Sequence, residues 1–337
     1  MQQVPPAVSV VIPVFNRPVA VRRAIDSVLA QTYRDFEILV VDDASTDDTA
    51  SVVAAVDDPR VVLIRHRRRC GGSATRNSGI NASHGSYVAF LDSDDEWMPD
   101  KLHRQIELFE RSGNDVGLVY AGFERRLPDG EVATHIPRDR TGLSRKLLID
   151  NVVGGASVGV VRQAVFERVG FFDTALQSGQ DVDFWLRVCE QFSADFVPDV
   201  LVRIWQQDAG DRITTNVASL ISGREVFFQK HRRKMERIGV VHLWLRDVGW
   251  LHHRLAGDRR TARSFYVAAL RARPTAVFTC VLLLLSWMPN SWLDGLAHIK
   301  NRCLALVGVA SGRRSPARRN TSALSVDGSK QSQHSAL

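Results

Sequence analysis

The sequence predicts an α/β fold: a doubly wound, mostly parallel sheet flanked by helices, with a C-terminal helical extension. Three observations carry this expectation. Over residues 8–91, short apolar runs rich in β-branched residues alternate with segments of helical periodicity. The runs are apolar on both faces, as strands buried between two helix layers are. Two of them end in acids: Asp42 and Asp43 after the second run, then Asp92, Asp94 and Asp95 after the fourth. Open parallel sheets bind ligands at the carboxyl ends of their strands, so these acids fall on the binding edge.

The elements follow in order. Residues 8–14 (VSVVIPV) read as the first buried strand. Pro18 suits the first turn of a helix, and Val21, Ile25, Val28 and Leu29 share one face of it. Residues 36–41 (FEILVV) form the second strand. Residues 44–49 are turn and cap chemistry, in which Ser45, Thr46, Asp47 and Asp48 can accept from free helix amides. Residues 61–64 make a short third strand and residues 87–91 (YVAFL) a fourth. Residues 117–125 and 196–203 look like further strands, and residues 184–190 like a short amphipathic helix. From about Leu220 the pattern is helical, with helices over 259–273 and after Pro274. Residues 311–337 are polar and rich in Ser and Arg, a composition expected to be disordered. The resulting division is an α/β domain over 1–225, a helical region over 226–310 and a basic tail over 311–337.

Charge and cysteine content exclude several classes. The chain has 337 residues and a net charge of +7. Much of that charge belongs to the tail, where Arg313, Arg314, Arg318, Arg319 and Lys330 face Asp327 alone. The body is only mildly basic, which argues against nucleic acid as a partner. Cys70, Cys189, Cys280 and Cys303 form no C-x-x-C pair, so neither a zinc site nor a disulfide framework is expected, and a reducing compartment is the simpler reading. The first residues lack the basic start and apolar run of a secretory signal. Residues 275–288 are the longest apolar stretch, too short for the roughly 20 residues that span a bilayer. They read as a buried helix or as one lying in a membrane interface.

Four constellations offer chemistry. Asp43 ends a strand, where a carboxylate can accept from a base imide or a ribose hydroxyl, or else cap the next turn. Asp92, Asp94 and Asp95 crowd three acids into four residues. Such crowding is tolerated beside water or a cation, and oxygen ligands of this kind suit Mg²⁺ or Mn²⁺ with a diphosphate. An EF-hand is excluded because Trp97 stands where that loop needs glycine. In GQDVDFWLRV (179–188), acids follow a glycine at a helix start, which ordinary capping explains equally well. The run Arg65-His66-Arg67-Arg68-Arg69 before Cys70-Gly71-Gly72 could face a diphosphate. A solvated loop explains most of that run.

Taken together, the segments VSVVIPVFNR, SVLAQTYRDFEILVVDDASTDDT, ATRNSGI, YVAFLDSDDEWMPDKL, VGFFDTAL and GQDVDFWLRV resemble the inverting family-2 glycosyltransferases of the GT-A fold, in family order over about two-thirds of the chain. The resemblance implies transfer of a sugar from a nucleotide-sugar donor to an acceptor hydroxyl. It implies that Pro13 and Phe15 line the nucleobase and that Asp43 reads it, commonly uracil or thymine. Arg76 falls in the donor site. Asp92 and Asp94 become a D-x-D pair, with Asp92 near the ribose and both acids near a Mg²⁺ or Mn²⁺ ion held chiefly by Asp94. Asp181 becomes the general base. Two departures stand out. Gln180 precedes Asp181 where the family often has Glu, and WQQDAGDR (205–212) lacks the family's histidine, leaving Arg212 alone to match. The Q-x-x-R-W signature of processive synthases is missing, which points to single-sugar transfer.

Two rivals share the sheet and the acids. A phospho-receiver module would need Lys-Pro after a later strand and would leave GQDVDFWLRV without a role. A nucleotidyltransferase would open on a glycine-rich loop with lysine, which IPVFNRP is not. The acceptor class stays open between glycan, lipid-linked and protein acceptors, with the groups that contact it expected around 151–161 and Trp185. The expected location is cytoplasmic, peripheral on an anionic inner membrane face. It rests on the basic cluster Lys230, Arg232, Arg233, Lys234 and Arg237, the apolar stretch after Pro274 and the tail.

Overall fold

Seven residues, Val8–Val14, form strand β1, and the chain then winds back through helix α1 (Pro18–Leu29) to strand β2 (Phe36–Asp42). The computed structural model describes residues 5–127, 129–205 and 217–287. Arg212 and the 311–337 tail therefore lie outside the described residues. Helix α2 (Thr49–Ala54), β3 (Val61–Arg65), α3 (Gly72–Asn81) and β4 (Tyr87–Phe90) complete the parallel half. The remainder adds β5 (Asp95–Trp97), α4 (Lys101–Arg111), β6 (Val116–Arg126), β7 (Val132–His135), α5 (Leu143–Leu147), a 3-10 turn (Ala156–Val158), β8 (Gly159–Arg162), α6 (Ala164–Val169), α7 (Gln180–Gln191) and β9 (Ser193–Trp205). Four helices close the described chain: α8 (Val217–Arg237), α9 (Val241–Arg254), α10 (Arg259–Ala272) and α11 (Val277–Leu285).

One sheet runs through the α/β part in the order β3-β2-β1-β4-β8-β6-β9-β5, with β7 on β6. The first four strands are parallel, β4–β8 and β8–β6 are antiparallel, and β6–β9 returns to parallel. This mixed sheet between helix layers is the GT-A-like architecture that the sequence predicts. Val8, Val10, Val11, Ile12, Ile38 and Val40 are fully buried, which explains the unbroken apolar runs. Helix α3 lies so close on β1 that a Cβ on Gly79 would come within 2.3 Å of Val11 Cγ1. Only glycine permits that approach, and it brings the α3 face carrying Arg76 down to the sheet edge.

Two local expectations are corrected. Ser45 and Asp48 do not cap α2: Ser45 Oγ accepts from the Asn16 amide at 2.9 Å, and Asp48 makes no side-chain cap bond. Asp47 and Thr49 do the local work instead, with Asp47 Oδ1 accepting from the Thr49 amide at 3.0 Å and Thr49 Oγ1 accepting from the Arg17 amide at 2.8 Å. These bonds stitch the loop after β1 to the loop after β2. Helix α8 runs continuously across residues 225–226.

Candidate active site

The parallel register sets the site. Val14 pairs with Asp42, and the Asp43 amide donates to Val14 O at 2.9 Å, so Phe15 and Asp43 leave adjacent strands side by side. Pro13 sits one step back, paired with Val41. Phe90 pairs with Val11, and the Leu91 amide donates to Val11 O, which delivers Asp92 to the same edge.

The two neighbouring acids after β2 do different jobs. Asp42 is fully buried; its Oδ1 accepts from the Ser45 amide at 3.0 Å and its Oδ2 from Arg65 Nε at 3.0 Å. It builds the turn. Asp43 is held by three donors: His66 Nδ1 and the Cys70 amide on Oδ1, and the Gly71 amide on Oδ2, each at 2.8 Å. Burial works against its charge, but His66 and the two amides outweigh it and hold the carboxyl below the ordinary range. His66 Nε2 lies 2.9 Å from Ser78 Oγ, so a proton on Nδ1 for Asp43 leaves Nε2 to accept from Ser78. The Arg65–Arg69 run is thus more than the solvated loop its charge suggests. Arg65 and His66 hold the two acids, and the Arg69 guanidinium sits 4.0 Å over the Phe15 ring.

Arg76 is the centre of the second cluster. It bonds Asp92 Oδ1 through a guanidinium nitrogen. Burial opposes its charge, but Asp92 first, then Asp181 and Asp94, raise its pKa above the ordinary arginine value. The three acids that the sequence scatters over ninety positions therefore act on one cation. Asn77, the next residue, donates to Phe172 O at 2.9 Å and accepts from the Phe172 amide at 3.0 Å. That reciprocal pair ties α3 to the loop before α7. Phe172 stacks on Phe184 of α7 at 4.5 Å between ring centroids, which fixes the helix that carries Asp181.

Asp94 Oδ2 pairs with Arg17 at 2.9 Å, and Arg23 donates to its carbonyl at 3.1 Å. Asp95 turns inward: its Oδ2 accepts from Ser157 Oγ at 2.6 Å, while Ser157 Oγ accepts from the Asp92 amide at 3.0 Å. Fully buried Ser157 therefore locks the acid loop from below. Sequence reasoning missed both Ser157 and Arg17. Ser157 lies in a short 3-10 turn with no motif, and Arg17 reads as an ordinary helix-entry residue.

Asp181 and Asp183 point in different directions, as helical neighbours two apart must. Asp181 Oδ2 accepts from Asn151 Nδ2 at 3.2 Å, and Oδ1 accepts from the Val182 amide at 2.9 Å. Burial raises its carboxyl pKa, against the pull of the Val182 amide and Arg76. Asp183 is fully buried under α8. It takes His231 Nε2 at 2.8 Å, Lys230 Nζ at 2.9 Å and Arg187 Nε at 2.9 Å. Burial opposes its charge, but these three partners hold its carboxyl far below the ordinary value. Trp185, expected near an acceptor, is wholly buried, and its indole donates to Gly154 O at 3.1 Å. A Cβ on Gly159 would meet its ring at 2.5 Å, so Trp185 is core. A concavity of about 760 Å³ between α8, α9 and α10 holds none of the site acids.

Residues 9–170 match the family model described as Glycosyl transferase family 2. WcaA of Escherichia coli K12, assigned by name to glycosyl transfer in colanic acid biosynthesis, is 30% identical over 244 residues, 69% of this chain and 84% of its own. Among solved structures, S. aureus TarS 1-349 in complex with UDP-GlcNAc is similar in fold, with a TM-score of 0.59 and 15% identity over 79% of this chain and 81% of that one. The mannosyltransferase PcManGT of Pyrobaculum calidifontis, in complex with GDP-Man and Mn²⁺, gives a TM-score of 0.56 and 18% identity over 89% of this chain and 87% of that one. Motif order, strand-edge acids, the family match and a relative covered over 84% of its length agree: the chain belongs to glycosyl transferase family 2.

Proposed function

We propose that this glycosyltransferase moves one sugar per encounter from a UDP- or dTDP-type donor to an acceptor hydroxyl, with inversion at the anomeric carbon and Asp181 as the general base. The observation that carries the reading is the convergence of Asp92, Asp94 and Asp181 on Arg76. One acid of the three, Asp181, has no ion pair among the described residues and a raised pKa. A carboxylate that is costly to ionise and close to the donor edge is suited to take a proton.

The other residues divide the remaining work. Phe15 offers a ring face to the nucleobase, and Pro13 shapes the strand beneath it. Asp43, kept ionised by His66 and two amides, accepts from the base imide with its remaining lone pair. Asp92 serves the ribose, and Arg76 meets the phosphates while holding Asp92 in place. Asp94 and Asp92 supply hard carboxylate oxygens, already balanced by Arg17 and Arg76, a donor set that fits Mg²⁺ or Mn²⁺. When bound there, the ion would offset the charge of the departing diphosphate. Asn151 orients Asp181, which takes the acceptor's proton as its oxygen attacks.

The test pairs donor binding with initial transfer rate, using UDP- and dTDP-sugars and reading the product anomer by NMR. Asp181→Asn should lower the rate about 10²- to 10⁴-fold with donor affinity unchanged. An unaltered rate in Asp181→Asn, or retained anomeric configuration, defeats the proposal.

A further inference from the structure

The basic cluster that the sequence offers as a membrane contact is largely occupied. Lys230 pairs with Asp173 and Asp183, Lys234 with Glu190 and Arg232 with Glu236. The apolar stretch after Pro274, which the sequence offers beside it, has the right chemistry. Helix α11 packs Thr279 and Leu282 inward on α10, against Ala262 and Tyr266. Its opposite face shows Val277, Phe278, Val281 and Leu284 at 73, 54, 38 and 68% exposure, and Trp287 just past its end at 71%. Spacings of one, three, three and three residues set these side chains on one stripe of the helix. Contiguous exposed apolar surface of this sort marks an interaction site.

Arginines gather beside the stripe, Arg246 among them with its ion pair to Asp247. Residues 259–287 contain Arg259, Arg260, Arg263, Arg271 and Arg273 and no Asp or Glu. Arg263 lies 4.1 Å over the Trp287 ring and donates to Ser286 O at 3.2 Å; Arg246 reaches the Phe278 ring at 5.8 Å. Arg260, Arg271 and Arg273 are exposed. No helix among the described residues is long and apolar enough to cross a membrane. We propose that α11 is an interfacial docking helix for an anionic lipid bilayer, with Val277, Phe278, Val281, Leu284 and Trp287 entering the acyl boundary and the flanking arginines meeting lipid phosphates. A helix with an apolar stripe and an arginine-rich border suits that interface. A bilayer offers phosphates to the arginines and acyl chains to the aliphatic stripe, so lipid fits both halves of the surface.

This inference stands apart from the transfer reading, because its test reads no transfer. The full-length chain is floated with vesicles of phosphatidylglycerol and phosphatidylcholine, and with phosphatidylcholine alone, at low and high salt. Wild type should co-float with the anionic vesicles at low salt and release at high salt. Val277→Glu/Leu284→Glu should bind at least about tenfold less, with an unchanged melting temperature. Lys234→Ala should float like wild type. Absence of flotation at low salt overturns the proposal, as does undiminished flotation of the double variant. A fall in melting temperature in that variant would mean that the stripe is covered by the chain itself. Vesicle-free self-association that the variant abolishes would mean that a second copy covers it. Either result also overturns the proposal.

Discussion

The acid-rich strand edge and the α11 surface depart from ordinary burial in opposite directions. In and around the acid-rich strand edge, charge is taken inside: Asp42, Asp43 and Asp95 are buried there, Asp183 is buried under α8, and Arg76 sits among three carboxylates. On α11, apolar side chains are left outside. Each departure costs stability, the first through desolvation and the second through exposed apolar area. The difference lies in compensation. The buried charges are nearly all paired within the fold, whereas the apolar stripe has no partner among the described residues. The first is completed within the fold; among the described residues the second is not. Asp181 is the exception within the first region, since it has no ion pair among the described residues, and the proposed chemistry rests on it.

Four outcomes would break or sharpen this contrast. The largest effect on stability should come from the most completely paired acid. Asp183→Asn leaves Lys230, Arg187 and His231 facing a neutral group and should cost about 3 kcal/mol in chemical denaturation at pH 7. The sign with pH follows from its depressed folded pKa. Its contribution is full above the unfolded value of about 3.9 and is lost as pH falls through the folded one. The gap between wild type and variant should therefore narrow on acidification below about pH 4. A gap that stays constant from neutral to acid pH would show that the Asp183 charge is not what binds α7 to α8.

Next in size is nucleotide binding at Asp94. By calorimetry, Asp94→Ala should weaken Mn²⁺-dependent binding of a nucleoside diphosphate by about 100-fold, or about 2.7 kcal/mol. Equal binding in EDTA and in Mn²⁺ would remove the D-x-D assignment. A smaller effect of opposite sign belongs to Asp181. Its folded pKa is raised, so its stability contribution is lost as pH rises from the unfolded value through the folded one, and the cost is full at neutral pH. Asp181→Asn should then gain about 1 kcal/mol at pH 7 while losing transfer. A destabilised Asp181→Asn would place Asp181 with the paired acids and end the contrast at its sharpest point. Smallest of all is Lys234→Ala, an exposed pair with Glu190, expected to change stability by less than about 1 kcal/mol.

The sequence by itself determined the parallel half of the sheet, because strands buried on both faces are mostly apolar, and VSVVIPV and FEILVV are short, β-branched and mostly apolar, with Ser9 and Glu37 bonded to each other. It also determined that acids stand at the binding edge, since each follows a strand directly. Family resemblance in the motifs, rather than periodicity, supplied the roles expected of Arg76 and Asp181. Strands β5, β7 and β8 were not legible: at three or four residues they carry too little pattern, and pairing partners far along the chain create them. Tertiary structure alone decided which acid of each neighbouring pair is structural. Asp42 and Asp43 are adjacent and chemically alike, yet Arg65 takes one and His66 the other. Asp181 and Asp183 differ only by direction, and α8, thirty or more residues away in sequence, arrives to neutralise one of them. It likewise decided that Lys230 and Lys234 are spent on internal pairs while α11 keeps its apolar face outside. The physical reason is common to all three cases. A side chain's charge or apolarity is written in the sequence, but whether that property is compensated depends on which distant group folding brings within hydrogen-bonding or packing distance.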